Sequence, residues 1–341
     1  MDITQIINNL ISDLTPRQKE VLEGRFGLKT GRKTTLAALG EKYELTRERV
    51  RQIEEEAIKS VAKKIKSGPA AEILAVADNE LEKIGNARQE DFLVEDLKKS
   101  LKDKNLTVWH LRFLFEAAGH PYYRIEDKNF RSFWYKDKTI FKKISNFIDK
   151  LAKFLSNKKE DLITHKKFDK LFAEAVKSNG LRDTIALNYI SISKKFGTNS
   201  YGDFGLSHWE EIVPKTMRAK AYLVLKKYQK PMHFRHITEE INKVKFDKRA
   251  ALPQTIHNEL IKDPQFILVG RGMYGLKEFG LMPGTAKEVI ANLLKTKGPL
   301  LPSDVIDLTL QQRVLKKGTI LLNLSNKKHF KKLPEGKYYL A

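Results

Sequence analysis

The sequence predicts a mainly α-helical protein with small β-hairpin wings, built as a tandem array of helix-turn-helix and winged-helix modules. Short segments with apolar residues at helical spacing recur along the chain, which indicates many amphipathic helices. In several places they are followed by two aromatic-rich segments around a polar or glycine turn, which indicates hairpins. We expect five modules, over residues 1–68, 69–138, 139–214, 215–280 and 281–341.

The charge of the chain indicates a polyanionic partner. The 341 residues carry a formal net charge of +22. Lysine and arginine are spread over the whole length, which favours an extended nucleic-acid footprint over a single basic membrane-surface helix. No apolar run approaches the roughly 20 residues of a membrane helix. We expect a cytoplasmic, nucleoid-associated protein that binds double-stranded DNA and no membrane.

The first module carries the most specific pattern in the chain. Thr15 and Pro16 predict the start of a helix, and Gly27 is a suitable C-cap for it. Thr35 predicts the start of a short helix and Thr46 the start of a longer one. Two helices joined by a tight turn, the second one basic on its outside, form the helix-turn-helix arrangement.

The helix that begins after Thr46 has an outer face suited to DNA. Its apolar residues recur at helical spacing and predict one buried stripe, formed by Val50, Ile53, Ala57 and Val61. Arginine pairs bidentately with guanine, glutamine pairs with adenine, and glutamate accepts from cytosine. We predict that DNA is contacted by the residues of this outer face, which are Arg47, Glu48, Arg49, Arg51 and Gln52.

Three consecutive carboxylates follow the outer face, at Glu54, Glu55 and Glu56. Such a run could be taken for a catalytic or metal site, but a run of like charges on a helix is usually a solvated face. We expect that role here, with Glu55 close enough to the outer face to temper non-specific binding.

These pieces resemble region four of bacterial primary sigma factors, from Leu14 to Ile65. The segments that carry the resemblance are Leu14–Gln18, Arg25–Leu28, Thr35–Leu36 and Thr46–Glu54. The resemblance implies a module that recognises the promoter −35 element and rests against the flap of RNA polymerase. It also implies base and phosphate contacts at the outer face. In sigma factors the domains that melt the −10 element precede this module, and no later module here resembles them. We expect an addressing module of a regulator rather than a complete initiation factor.

The second and third modules are predicted from helices and aromatic strands. A helix begins at Thr107, and a hairpin follows between Tyr122 and Tyr135. Trp109 and Trp134 fit either the core of a small domain or platforms on which bases stack. The third module opens with an amphipathic helix, and its candidate wing lies at 194–206.

The fourth module, over residues 219–277, resembles a HARE helix-turn-helix domain. The carrying segments are Ala221–Leu225, Pro231–Phe234 and Phe266–Leu276. The resemblance implies a winged helix of the kind found in the delta subunit of bacterial RNA polymerase, one that binds DNA or the transcription machinery. The residues from Gly270 to Gly275 match G-x-G-x-x-G, but they lie between two predicted strands, so we predict a wing turn that presents Arg271 to DNA.

The fifth module repeats the plan of the fourth. We expect Ser303 and Thr319 to cap its second and third helices, and a wing to close the chain around a glycine turn. Basic residues precede this wing, and we predict that Lys327 and Lys328 contact phosphates. Such contacts set affinity and salt dependence rather than sequence choice.

The sequence holds no pattern that argues for catalysis. Nucleophile elbows, phosphate-binding loops and zinc-protease helices are absent, and so is cysteine. His233, His236 and His257 lack the further ligands that a metal needs. We therefore expect no catalytic residue, no metal and no cofactor.

The most direct functional interpretation is a sequence-specific DNA-binding transcription regulator that acts at promoters, with RNA polymerase, or both. Two alternatives stay open. One is an RNA polymerase accessory factor that binds mainly protein at the flap or core of the enzyme. The other is a DNA-specificity subunit of a DNA-processing enzyme.

Overall fold

The computed structural model describes residues 2–341. This part of the chain is 57% helical, with 17 helices and small antiparallel strand pairs. The predicted mainly helical fold with small hairpin wings is therefore confirmed. The chain divides after Phe196 into two compact units. None of the helices among the described residues has the length and apolarity that a membrane span requires.

The first unit begins with the predicted helix-turn-helix. Threonine side chains cap its helices by accepting the backbone N–H groups of Gln18, Ala38 and Arg49. The turn before the last helix requires Gly40, because a Cβ there would lie 2.6 Å from the carbonyl oxygen of Leu45. The four helices are α1 (Ile3–Leu10), α2 (Pro16–Phe26), α3 (Leu36–Tyr43) and α4 (Arg47–Lys64).

A winged-helix order of elements follows, in which a strand lies between the first and second helices. Its sheet has the order β1-β3-β2, with both strand pairs antiparallel. The elements are α5 (Pro69–Lys83), β1 (Ala87–Gln89), α6 (Glu90–Leu101), α7 (Val108–Ala118), β2 (Tyr122–Arg124) and β3 (Phe133–Tyr135).

Helix α7 joins the first two predicted modules through one hydrophobic core. The core runs without a break from Ile3 to Trp134. At its centre the ring of Phe113 packs edge-to-face on Phe26 of α2, with 5.4 Å between the centroids. The backbone N–H of Ile3 donates to the buried carboxylate of Asp103, 2.7 Å away. The main core thus crosses residue 68, while a small cluster around Val21 and Leu39 lies before it. The division into five modules stays a prediction.

The third predicted module packs on the second through its last helix. The side chain of Asn188 donates to the carbonyl oxygens of Ile84 and Ala87, and the Tyr189 hydroxyl donates to Gly85. A Cβ on Gly85 would lie 2.6 Å from Ile185, so this close approach needs glycine. The helices are α8 (Lys138–Ser156), α9 (Lys159–Ile163), α10 (Phe168–Ser178) and α11 (Asp183–Ile192), and the short strands β4 (Phe196–Thr198) and β5 (Phe204–Leu206) follow.

The second unit contains the winged-helix order twice. The first copy has a sheet of order β6-β8-β7, and the second has an isolated bridge from Leu300 to Tyr338 where the first has β6. The first copy consists of α12 (Met217–Tyr228), β6 (Met232–His233), α13 (Phe234–Val244), α14 (Pro253–Lys262), β7 (Phe266–Gly270) and β8 (Met273–Leu276). The second consists of α15 (Ala286–Lys297), α16 (Pro302–Gln312), α17 (Lys317–Leu324), β9 (Phe330–Lys332) and β10 (Tyr338–Leu340).

Two capping residues predicted in the last copy are wrong. Helix α16 begins at Pro302, and α17 begins at Lys317, so Ser303 and Thr319 lie inside the first turns. The proline fixes φ near its helical value and lacks the N–H that a first-turn residue leaves unpaired, which suits it to the first helical position. The helix therefore starts one residue before the hydroxyl that was expected to cap it.

A buried ion pair stabilises the second unit. Lys220 on α12 is 1% exposed, and its ammonium donates to the carboxylate of Asp247 at 2.8 Å. The same carboxylate accepts hydrogen bonds from the backbone and guanidinium of Arg249. These hydrogen bonds, that of Lys220 first, hold the pKa of the Asp247 carboxyl well below its ordinary value of 3.8. Breaking such a pair leaves a buried charge without its partner.

We expect Asp247→Asn to lower the melting temperature of the second unit, and to do so less in acid. A depressed carboxyl pKa contributes stability that is present above the unfolded value of 3.8 and is lost as pH falls toward the folded value. The difference in melting temperature between wild type and variant should therefore shrink from about pH 6 to about pH 3. Asp307→Asn, at an exposed position of α16, is the control. A difference that stays constant with pH would contradict the role of the charge.

Candidate nucleic-acid interface

Helix α4 separates a buried stripe from an exposed outer face, as its sequence predicts. Val50, Ala57 and Val61 are 0% exposed, whereas all five residues of the outer face are exposed. The inner side packs on α2 and α3 through the small core of Val21 and Leu39. The helix is therefore fixed by one side while the other faces solvent.

Arg51 is the centre of an ion-pair network on the outer face. Its Nε and Nη2 donate to the two carboxylate oxygens of Glu48 at 2.9 and 2.6 Å, and its Nη1 donates to Glu55. The hydrogen bond from Arg51 lowers the pKa of Glu48, and the bond from Glu48 raises the pKa of Arg51. These side chains are about half exposed, so the network orders the guanidinium more than it stabilises the fold.

A second contact on the same face joins Arg49 to Gln52. The Nη1 of Arg49 donates to the amide oxygen of Gln52 at 3.1 Å. A glutamine that pairs with adenine uses its oxygen as acceptor and its amide nitrogen as donor. In the free protein the oxygen accepts from Arg49, and a side-chain hydrogen bond from Gln52 contributes to the lowered pKa of Glu48.

The carboxylate of Glu54 does not belong to the solvated face that the sequence suggested. Glu55 and Glu56 are exposed, but Glu54 is 7% exposed and accepts from the Nε of Arg25 at 3.0 Å. The same guanidinium donates to the carbonyl oxygen of Thr34 at 3.1 Å. This pair ties α4 to α2 and to the basic loop between α2 and α3. Its partners lie 29 residues apart, so no local pattern in the sequence could identify it.

Arg271 lies in the second unit, exposed at the tip of the β7–β8 hairpin. Gly272 follows it with a φ of 65°, and a Cβ there would lie 2.6 Å from the Nε2 of His233. The backbone N–H of Phe234 donates to the carbonyl oxygen of Gly272. The glycine motif is thus a wing turn followed by a strand, and it lacks the strand–helix context of a dinucleotide site.

Lys327 and Lys328 also lie in the second unit, exposed in the turn between α17 and β9. Lys331 and Lys332 continue the basic surface along β9, opposite Tyr339 and Tyr338 of β10. The predicted DNA contacts therefore fall into three groups. One group is the outer face on a single helix of the first unit, and the other two are a wing tip and a turn in different parts of the second unit.

The third helix before each hairpin differs in what it exposes. Of the eleven residues of α7, Glu116 alone is exposed, and the aromatic rings around it are buried. Helix α14 exposes the polar residues Gln254, Thr255 and Asn258 and, in its last turn, Ile261 at 62%. Helix α17 exposes Leu321 at 46% and Leu322 at 73%, next to its basic first turn. Helix α7 is thus covered by the helix-turn-helix and has no free face for a DNA groove.

The two tryptophans of the second predicted module have different surroundings. Trp134 is 3% exposed and packs edge-on against Phe115, with 4.8 Å between the centroids. It belongs to the core rather than to a stacking surface. Trp109 is half-buried, and the guanidinium of Arg112 lies 5.1 Å from its ring. Arg112 is itself held by two hydrogen bonds to the buried carboxylate of Glu90, at 2.7 and 2.6 Å.

Two segments of the chain match known protein families. Residues 10–63 match the family model described as Sigma-70, region 4, and residues 215–279 match HARE-HTH, the helix-turn-helix domain of ASXL and restriction endonuclease proteins. The first match contains α2, α3 and α4 with the whole outer face, and the second contains the elements from α12 to β8 with Arg271. Both predicted resemblances are confirmed.

Curated relatives match over the first segment. RNA polymerase sigma-B factor of Nostoc sp. is 50% identical over 54 residues, which are 16% of this chain and 16% of that protein. RNA polymerase sigma factor SigA of Clostridium acetobutylicum is 46% identical over 52 residues, 15% of this chain and 14% of that protein. SigA of Lactococcus lactis subsp. cremoris is 40% identical over 68 residues, 20% of this chain and 19% of that protein. The chain thus spans less than a fifth of the length of these relatives.

Both matched families are DNA-binding domains, and neither is catalytic. The match to sigma factors includes the exposed helix α4, and the match to HARE-HTH includes a complete winged helix. The chain therefore combines a segment that matches sigma-70 region 4 with a segment that matches HARE-HTH, and these two DNA-binding domains support a transcription-related role.

Proposed function

We propose that this protein is a sequence-specific DNA-binding regulator of transcription, acting at promoters, and that α4 recognises the bases. The observation that carries the proposal is the outer face of α4. It presents arginine, glutamate and glutamine side chains together on a helix whose opposite side is locked into the protein. An α-helix held in this way fits the major groove, where each base pair shows a distinct pattern of donors and acceptors.

The hydrogen bonds of Arg51 in the free protein leave it suited to guanine. A guanidinium has five N–H donors, and Glu48 and Glu55 accept from three of them. The two that remain are one each on Nη1 and Nη2, and a bidentate contact to guanine O6 and N7 needs two such donors on neighbouring nitrogens. Because the carboxylates already hold the side chain, less rotamer freedom is lost when it meets a base.

The same two carboxylates weaken binding to DNA that lacks a matching guanine. Glu48 and Glu55 approach the phosphates of any bound duplex together with Arg51. Where a guanine accepts from Arg51, the contact offsets their repulsion from the DNA. Where no acceptor is present, the repulsion stays uncompensated, so the face discriminates by penalising mismatched sites as well as by favouring matched ones.

We propose supporting roles for the remaining modules. Helix α7 is buried against α2 and α4. The second module therefore supports α4, which we call the reading helix, and does not enter a DNA groove itself. In the second unit, Arg271, Lys327 and Lys328 are exposed cations at a wing and a turn, where phosphate contacts would add affinity without sequence choice. A place on the bacterial nucleoid, in the cytoplasm, follows from this function, with RNA polymerase as protein partner.

We expect Arg51→Ala combined with Gln52→Ala to weaken binding to a selected DNA sequence by about tenfold or more, because base contacts are lost. Binding to random DNA should fall much less, since phosphate contacts remain. Both affinities are measured by fluorescence anisotropy at one salt concentration. The control is Lys59→Ala, an exposed cation two turns further along α4, which should affect both sequences equally. An equal loss on both sequences in the double variant would contradict base recognition by α4.

We expect Lys327→Ala combined with Lys328→Ala to weaken selected and random DNA by the same factor. Each lost phosphate contact removes released counterions, so the slope of log K against log salt should become shallower by roughly 1 to 2. The measurement is a salt titration of binding. Lys295→Ala with Lys297→Ala removes the same charge from exposed positions of α15 and is the control. An unchanged slope would mean that the turn does not contact DNA.

A second candidate function is supported by the exposed leucines of α17. Leu321 and Leu322 occupy the helix that would otherwise face DNA, and large exposed aliphatic side chains suit contact with protein. On this basis the protein would be an RNA polymerase accessory factor that binds the enzyme through its last module.

For this second function we expect the wild-type protein to retain RNA polymerase after nuclease treatment, and Leu322→Lys to lose it. The lysine would place a charge in an apolar contact. Leu252→Lys, at a position 64% exposed on the HARE-HTH module, is the matched control and should retain the enzyme. Loss of the enzyme from the wild type on nuclease treatment would show that DNA alone connects the two and would exclude this function.

A further inference from the structure

A pocket of about 490 Å³ lies behind the reading helix, between the helix-turn-helix and the second module. Helices α2, α4 and α7 contribute to it, together with the hairpin strands β2 and β3. It is lined by Glu54 of α4 rather than by the outer face. Its size falls in the range of pockets that hold small molecules, and it is bounded by flat aromatic side chains. The aromatic residues that line it are Phe26, Trp109, Phe115, Tyr122, Tyr123 and Trp134.

We propose that this pocket binds a purine nucleotide, with guanine as the preferred base. The aromatic walls set the first requirement, since flat rings favour a flat ligand. The ring centroids of Trp109 and Tyr123 each lie 5.1 Å from the guanidinium carbon of Arg112. Base–aromatic stacking does not by itself select one base, because every base has a π-face. Selection must come from the polar groups.

Most polar groups of the pocket already have partners. The guanidinium of Arg25 is bound to Glu54 and to the carbonyl oxygen of Thr34. The guanidinium of Arg112 is bound to Glu90 through two hydrogen bonds and to the hydroxyl of Tyr123. These pairs build the walls, and they leave little capacity for a ligand.

Two charged groups and one neutral donor in the pocket have no hydrogen-bond or ion-pair partner among the described residues. Within residues 2–341, the side chains of Glu116 and Lys33 make no hydrogen bond or ion pair, and both line the pocket. The Nε1–H of Trp134 is buried without an acceptor among the same residues. A buried donor without an acceptor is unfavourable, so an acceptor from a bound molecule would stabilise the complex. The pocket therefore offers one carboxylate, one ammonium and one indole N–H.

This set of groups matches a guanine nucleotide. The Watson–Crick edge of guanine carries two adjacent N–H donors, at N1 and N2, which suit the two oxygens of the Glu116 carboxylate. Its O6 and N7 are acceptors that suit the indole N–H of Trp134, and a phosphate suits the ammonium of Lys33. Adenine has one donor on the same edge and therefore offers the carboxylate less.

The surroundings of Glu116 disfavour its charged form, as expected for a carboxylate that lacks hydrogen-bond donors. Partial desolvation of its carboxyl by the surrounding walls raises the pKa of that group, and the nearby carboxylate of Glu54 raises it further, while Arg25 acts in the opposite direction. Ligand N–H donors would favour the charged form and reverse part of this shift. Neither Glu116 nor Lys33 belongs to the outer face, so recognition of DNA by α4 is tested by separate variants.

The test is isothermal titration of the full-length protein with guanosine 5′-monophosphate, adenosine 5′-monophosphate, guanosine and L-tryptophan. Guanosine monophosphate should bind about tenfold or more tightly than the adenosine nucleotide. Glu116→Gln should remove that preference, whereas Glu95→Gln, an exposed position of α6, should not. Lys33→Gln should weaken both nucleotides and leave guanosine unchanged. Melting temperatures of the variants establish that each is folded.

Two sources of the base are distinguished by competition. If a single-stranded oligonucleotide with one guanine displaces guanosine monophosphate, the pocket takes an unpaired base of a strand. If it does not, the pocket takes the free nucleotide. Either result supports recognition of a guanine base by the pocket. Equal binding of the two nucleotides, no binding of guanosine monophosphate, binding of L-tryptophan in its place, or a Glu116→Gln variant that behaves like Glu95→Gln would each overturn the proposal.

Discussion

The packing of α7 between α2 and α4 is the contact on which the first unit depends. The edge-to-face pair of Phe26 and Phe113 lies in a core that continues through α1 and as far as Trp134. Because this core anchors the inner stripe of α4, the outer face can carry charged residues without losing its support. The same contact buries the helix that a winged helix would otherwise present to DNA, and it leaves the aromatic pocket between the two modules. The same packing thus leaves the outer side of α4 exposed and buries the third helix of the second module.

The three winged-helix copies share an order of elements but differ in the side chains that they expose. Two of them place a strand between the first two helices, the last has an isolated bridge at Leu300 there, and all three have a hairpin after the third helix. Their third helices nevertheless expose different chemistry. Helix α7 is buried, α14 exposes Gln254 and Asn258, and α17 exposes Leu322. A fold of this kind supplies a rigid helix, and the residues on its free side determine whether that helix meets a base, a phosphate or another protein.

The sequence predicts those parts of the protein whose physics is local. The threonine caps of α2, α3 and α4 depend on residues three positions apart, and the outer face follows from helical spacing, so both could be identified. The contacts between distant residues could not. Glu54 pairs with Arg25 and Lys220 with Asp247, and in each case a charge that looks solvated in the sequence is buried by its tertiary partner. The failed caps at Ser303 and Thr319 have a different cause, since in α16 the fixed φ of Pro302 outweighs a nearby hydroxyl.

The hydrogen bonds that Glu48 and Glu55 accept from Arg51 have a consequence for how the proposed DNA-binding face would move along a duplex. The three arginines of the outer face stand beside the carboxylates of Glu48 and Glu55, so the face is nearly balanced in charge before any base is met. A strongly basic reading helix would bind phosphates at every position along the duplex and would dissociate slowly from each position. If α4 contacts bases as proposed, its nearly balanced face would bind unmatched sequence weakly, and the cations of other modules would keep the protein near the duplex. The proposed function would then divide rapid search along DNA and tight binding between different surfaces of one chain.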